Sequence, residues 1–139
     1  MREILFKGKN VDNGEWVEGC FVKVVRYLDD RKMSIIIPTD TYLCENCEID
    51  EYIKVDPETV CQYTGLTDNN GKKIFEGDIL RLEQSGNVKV MFEDGVFGAY
   101  FNGYGVLPLW KSLCGDGGQV IGNIFDNPDL LPTSSTDSD

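Results

Sequence analysis

Residues 62–79, QYTGLTDNNGKKIFEGDI, constrain the fold more than any other stretch of this chain. They read as a strand, a turn at Asn70-Gly71, a second short strand, and a Glu-Gly-Asp entry into a third. Asn-Gly between apolar runs is a hairpin signature, because a two-residue type I′ turn needs positive φ at both central positions. The same pairing occurs at Asn13-Gly14, ahead of Trp16 and Glu18-Gly19, as Asn70-Gly71 stands ahead of Phe75 and Glu76-Gly77. The echo is too faint to define a repeat. Fifteen glycines against five prolines place further turns throughout the chain. Together these features predict a mainly β protein built of antiparallel strands.

The remaining segments fit that frame. Apolar and β-branched runs at 4–6, 21–27, 33–37 and 52–55 predict strands for the first part of the chain. Residues 42–51 mix acids with apolar residues and read as a short helix or an irregular excursion. Asp56-Pro57 breaks the pattern, since proline fixes its own φ and restricts the residue before it. Beyond it, residues 80–83, 88–92, 96–101, 106–110 and 119–125 are short strands with turns every 8–12 residues, the spacing of a small antiparallel barrel. Val88, Val90 and Phe92 are expected on one face, Pro108 on an edge strand, and Asn127-Pro128 at a helix start with Asn127 as N-cap. The expected organisation is a β-rich N-terminal subdomain at 1–58, an SH3-like barrel at 59–131 and a disordered tail at 132–139.

Composition bounds the function. At 139 residues and 41% apolar, the chain has material for one domain, or for two small subdomains sharing a core. Its net charge is −11. Nucleic acid is bound by neutralising phosphates with Lys and Arg, and here those residues are scattered, so nucleic-acid binding is disfavoured. A patch of Lys7, Lys9, Lys72 and Lys73 would be needed to reverse that. The acidic surface suits basic partners or serves solubility alone. The N-terminus lacks the apolar core of a signal peptide, and no apolar run has membrane-spanning length. The expected location is the cytoplasm, with the five cysteines as free thiols.

Candidate chemistry is thin. Cys44 and Cys47 have the spacing of half a zinc site, but a structural zinc takes four ligands, and the chain has no histidine. Only Cys20 and Cys61 could complete a set. Missing histidine also removes the commonest general base. Glu76 and Asp78, two apart and hence on one side of a strand, could form a carboxylate pair, though shaping a turn beside Gly77 accounts for both. Glu45, Glu48, Asp50 and Glu51 lack the ligand spacing of a calcium loop and read as a solvated face. No catalytic, metal or cofactor residue is assigned, and no cofactor is expected.

Four blocks nevertheless resemble the YopX-like proteins of bacteriophages and prophages. They are FKGK with GEWVEG at 6–9 and 14–19, VDPETV at 55–60, QYTGL through GKKIFEGDI at 62–79, and VIGNIF with NPDLL at 120–131. Cys61 stands where a small residue is expected, and 44–51 has no counterpart in the pattern. The resemblance implies a β-rich fold with an SH3-like barrel, a phage or prophage origin, and no established activity or catalytic residue. The expectation is a non-enzymatic accessory protein acting through contacts with an unidentified protein, self-association included. A nucleic-acid-binding barrel, an acidic nucleic-acid mimic and a carboxylate- or metal-dependent hydrolase are the alternatives.

Overall fold

The computed structural model describes residues 3–25, 28–39, 51–82, 86–101, 105–109 and 118–131. They form antiparallel sheets with almost no helix, the class expected from the turn spacing. Contacts divide the chain into two compact units, Met1–Gln62 and Tyr63–Asp139. Among the described residues no helix is long and apolar enough to cross a membrane. The segment at 40–50, with Cys44 and Cys47, lies outside the described residues, as do Cys114 and the tail at 132–139.

The first unit contains β1 (Phe6–Lys9), β2 (Trp16–Val25), β3 (Lys32–Pro38) and β4 (Ile53–Lys54) in the order β4-β3-β2-β1. Beside β1 runs the start of β5 (Cys61–Thr67), with Lys7 opposite Cys61 and Phe6 opposite Gln62. The VDPETV block makes a capped 3-10 turn at Pro57–Thr59. Asp56 Oδ1 accepts the Glu58 N–H at 3.0 Å, and Pro57 occupies a first-turn position where no N–H is required. The buried Thr59 hydroxyl donates to Asp56 C=O at 2.7 Å and accepts the Lys9 N–H at 2.9 Å. That bond fastens the turn to β1, where a Cβ at Gly8 would stand 3.1 Å from Val55. The core here holds Leu5, Ile35, Ile36, Val55 and Cys61.

In the second unit, the rest of β5 pairs with β6 (Lys73–Phe75), and five strands form a separate sheet. These are β7 (Asp78–Leu82), β8 (Gly86–Glu93), β9 (Val96–Phe101), β10 (Gly105–Pro108) and β11 (Gln119–Asn123), in the order β10-β9-β8-β7-β11. Leu80, Leu82, Val88, Val90, Ala99 and Val120 supply one apolar face, and Ile74 and Leu66 from the β5–β6 hairpin pack on it. Among the described residues β10 and β11 do not pair, so the sheet has two edges and is open. Pro108 lies on β10, at an edge as the missing N–H requires.

Several local expectations need correction. Neither Asn-Gly pair makes a type I′ turn, since only Gly14 and Gly71 have positive φ and their asparagines do not. Asn10 N–H bonds Glu15 C=O at 2.9 Å, leaving a four-residue loop at 11–14. At the other hairpin, Asp68 N–H bonds Lys72 C=O at 2.8 Å and Gly71 N–H bonds Asp68 C=O at 3.0 Å. That is a three-residue loop, a type I turn closed by a left-handed glycine. Phe92 is 52% exposed although Val88 and Val90 on the same face are buried, because the cover from Ile74 and Leu66 does not reach it. Asn127 stands at the N-cap and Pro128 in the first turn, as expected, but the turn at Pro128–Leu130 is 3-10 and the Asn127 side chain makes no cap bond. Its Oδ1 accepts the Asn123 N–H at 3.3 Å instead, filling the space over Gly122, where a Cβ would collide with it.

Gly19 tests the packing of the first unit. A Cβ there would run into the Ile37 carbonyl and the Ile36 side chain. Gly19→Ala should destabilise the protein by about 1–3 kcal/mol in urea unfolding. Wild-type stability in that variant would contradict the β2–β3 spacing.

Candidate functional site

A buried, heavily bonded side chain of the second unit belongs to the turn of the TDNNG hairpin. Asp68 is 5% exposed. Its Oδ1 accepts the N–H groups of Asn70 and Lys72, each at 2.9 Å, and its Oδ2 accepts the Val120 N–H at 2.9 Å. Beside it, Asn69 N–H donates to Gly118 C=O at 3.0 Å. Burial pulls the Asp68 pKa upward. The backbone donors Val120, Lys72 and Asn70, with the Lys72 charge, outweigh it and hold the carboxyl below the usual range. A carboxylate so engaged is an acceptor with a structural task, covering the outer edge of β11.

Glu76-Gly77-Asp78 is built similarly. Gly77 takes φ +86, which turns the chain between β6 and β7. Asp78 is 2% exposed and its Oδ2 accepts the Phe75 N–H at 2.8 Å. Gly77 N–H donates to Val90 C=O at 2.7 Å, while its own C=O accepts the Ile124 N–H at 2.8 Å. Asp78 thus shapes the turn, and Glu76 is half-buried on the same turn.

The four lysines fall into two groups. Lys7 and Lys9 alternate along β1, and their Nζ atoms lie 4.6 and 5.4 Å from the centre of the Trp16 ring. Glu18 faces Lys7 across the ladder, so this cluster carries both signs. In the second unit Lys73 lies over the Tyr63 ring at 5.9 Å, and Lys72 stands in the Asp68 turn. Cys20 is an exposed free thiol. Cys61 is buried and donates from Sγ to Thr59 C=O at 3.2 Å. Among the described residues no three His, Cys, Asp or Glu side chains gather as metal ligands would.

An apolar corner at the far end of the five-stranded sheet was missed in the sequence. Phe92 and Phe97 face each other across β8–β9 with ring centres 4.8 Å apart, edge to face. Phe92, Val96, Tyr100 and Leu107 are 52%, 42%, 45% and 39% exposed. By the strand alternation, Phe92, Phe97 and Leu107 share the face of Val90 and Ala99, whereas Val96, Tyr100 and Val106 share the opposite one. Both faces of the corner are therefore apolar, with Glu93 and Asp94 exposed at its tip. Two apolar faces at one corner was the available clue, but the alternation alone does not reveal which face lacks a cover.

These observations define a small two-unit antiparallel β protein whose buried acids serve the backbone and whose second unit gathers exposed apolar side chains at one sheet corner. The sequence matches the YopX protein family over residues 5–132, and the chain belongs to that family. Its structure is similar to that of protein EF1440 from Enterococcus faecalis, with 28% identity and a TM-score of 0.65 over 95% of this chain and 100% of that one. It also resembles protein yopX from Bacillus subtilis, with 16% identity and a TM-score of 0.52 over 97% of this chain and 100% of that one, a likeness of fold alone. Comparison with curated proteins gives no match.

The Asp68 bonds have a pH signature. Its folded pKa lies below the ordinary unfolded value of about 3.9. The carboxylate therefore stabilises the fold above that value, and the contribution is lost as pH falls through the lower folded one. Asp68→Asn should lower stability at neutral pH by about 1–3 kcal/mol and flatten the acid limb of a urea-unfolding series. An unchanged acid limb in the variant would place that limb elsewhere.

Proposed function

We propose that this chain is a phage or prophage accessory protein that works in the host cytoplasm by binding another protein, without catalysing a reaction. The apolar corner of β8, β9 and β10 carries this reading. A lone protein gains nothing from exposing aromatic and aliphatic side chains on both faces of one sheet corner, and such gathered surfaces are contact sites. Exposed Phe92 and Tyr100 are suited to act as anchors, since large aromatics dominate binding energies at interfaces. Acids at the tip favour a partner whose rim is basic. The second unit we read as an SH3-like module, a short hairpin laid on the apolar face of a five-stranded antiparallel sheet, presenting its β8–β10 end. Family membership supports the phage setting, and the buried, backbone-bonded states of Asp68 and Asp78 support a role outside acid–base chemistry.

The test is capture from host cells with tagged wild-type protein and the double variant Phe92→Glu, Tyr100→Glu. Wild type should retain a specific protein, and the variant should lose it by roughly tenfold or more while keeping its far-UV circular dichroism. Equal capture by both, or none by wild type, would refute the reading.

A further inference from the structure

The first unit leaves part of β2 without a neighbour on one side. β2 pairs with β3 from Gly19 to Val25, but β1 covers it only from Trp16 to Gly19. The direction of the remaining backbone groups follows from two bonds. Asn10 N–H donates to Glu15 C=O at 2.9 Å, so the groups of Val17 and Gly19 also face β1. Phe21, Lys23 and Val25 continue that alternation. On the other side, Ser34, opposite Lys23, turns its C=O away from β2 to accept the Val55 N–H at 2.9 Å. Both bonds give the same phase. Three N–H and three C=O groups, from Phe21, Lys23 and Val25, point from an edge with no strand beside it among the described residues. Val25 next to it is 57% exposed, and Leu28 in the connection to β3 is 87% exposed.

A strand edge of this kind is a template for another strand, and natural proteins guard such edges with charges, prolines or bulges. The edge from Cys20 to Val25 has only Lys23. We propose that this edge pairs antiparallel with the same edge of a second copy, joining two β2–β3 ribbons about a two-fold axis. One edge supplies donors and acceptors in equal number, so a two-fold repeat satisfies both sets, as an isologous contact must. Charge selects the register. Centring the axis on Lys23 would set two ammonium groups face to face. Centring it on Val24 places each Lys23 opposite the other copy's Val25, which keeps the outward groups in bonding phase and leaves Gly19 with β1. Each copy carries −11, so the dimer is weak at low ionic strength and tightens as salt screens the repulsion.

This pairing uses a different surface from the β8–β10 corner and stands or falls independently of it. Sedimentation velocity on the full chain over a concentration series should give a monomer–dimer equilibrium. At one fixed salt concentration Val25→Glu, facing Lys23 across the axis, should tighten it, and Val25→Lys should weaken it, each by roughly threefold to tenfold. Val25 is largely exposed, so neither change threatens folding. Amide exchange at Lys23 and Val25 should be fast in dilute protein and slow in concentrated protein. A monomer at every concentration, a dimer indifferent to both substitutions, or slow exchange at these amides in dilute protein would each overturn the proposal.

Discussion

The Asp68 carboxylate holds together two parts of the second unit that no covalent link brings near. Its oxygens receive two N–H groups from its own turn and one from Val120, 52 residues away. A buried charge is expensive unless bonded, and this one is bonded by donors already fixed in place by the backbone. The consequence reaches past the turn. With Asn69 bonded to Gly118, the hairpin covers the outward side of β11, which would otherwise be an open edge. At the other margin, Leu109 N–H donates to Phe97 C=O at 3.0 Å, so the groups of Pro108 face outward and proline removes the donor there. One edge is covered by a loop and the other is deprived of a donor. Neither needs a closed barrel.

The first unit uses the same logic with a neutral group. Thr59 joins its own turn to β1 through a hydroxyl that both donates and accepts, and Gly8 leaves room for Val55 and Val60 to close over it. The strand β2 outlasts this arrangement, because β1 ends while β2 runs on to Val25. Beyond Gly19 the outer edge of β2 has no strand beside it among the described residues, while β3 on its other side is backed by β4.

The sequence announced turns well and their geometry badly. Asn13-Gly14 and Asn70-Gly71 are both at turns, yet the turn type depends on where the flanking strands begin to pair. That register is set by burial across the sheet and not by the dipeptide. Alternation in 88–92 correctly grouped Val88, Val90 and Phe92 on one face, but parity says nothing about where the cover from Ile74 and Leu66 ends, and it ends before Phe92. Glu76-Gly77-Asp78 was readable as a turn because its bond from Phe75 to Asp78 is local. The role of Asp68 was not, because its decisive donor comes from β11. Asn127 stands at the N-cap as expected, but its side chain is drawn to Asn123 and the space over Gly122 instead of the turn.

These distinctions bear on where function can lie. The blocks by which the chain is recognised as a YopX protein are occupied by the fold. Thr59 and Asp56 make a joint, Asp68 another, Gly77 and Asp78 a strand entry, and Gly122 with Asn127 a packed bend. A site built from them would have to give up bonds that hold the sheets. What remains free to meet another molecule is the surface the fold does not use, and its apolar part concentrates where cover runs out, at the β8–β10 corner and along the end of β2. Kinship of this sort transmits a scaffold, and two members can share every one of these joints while presenting different side chains at the corner. On the proposed reading, a partner is to be sought through Phe92, Val96, Tyr100 and Leu107, and not through the motif that names the family.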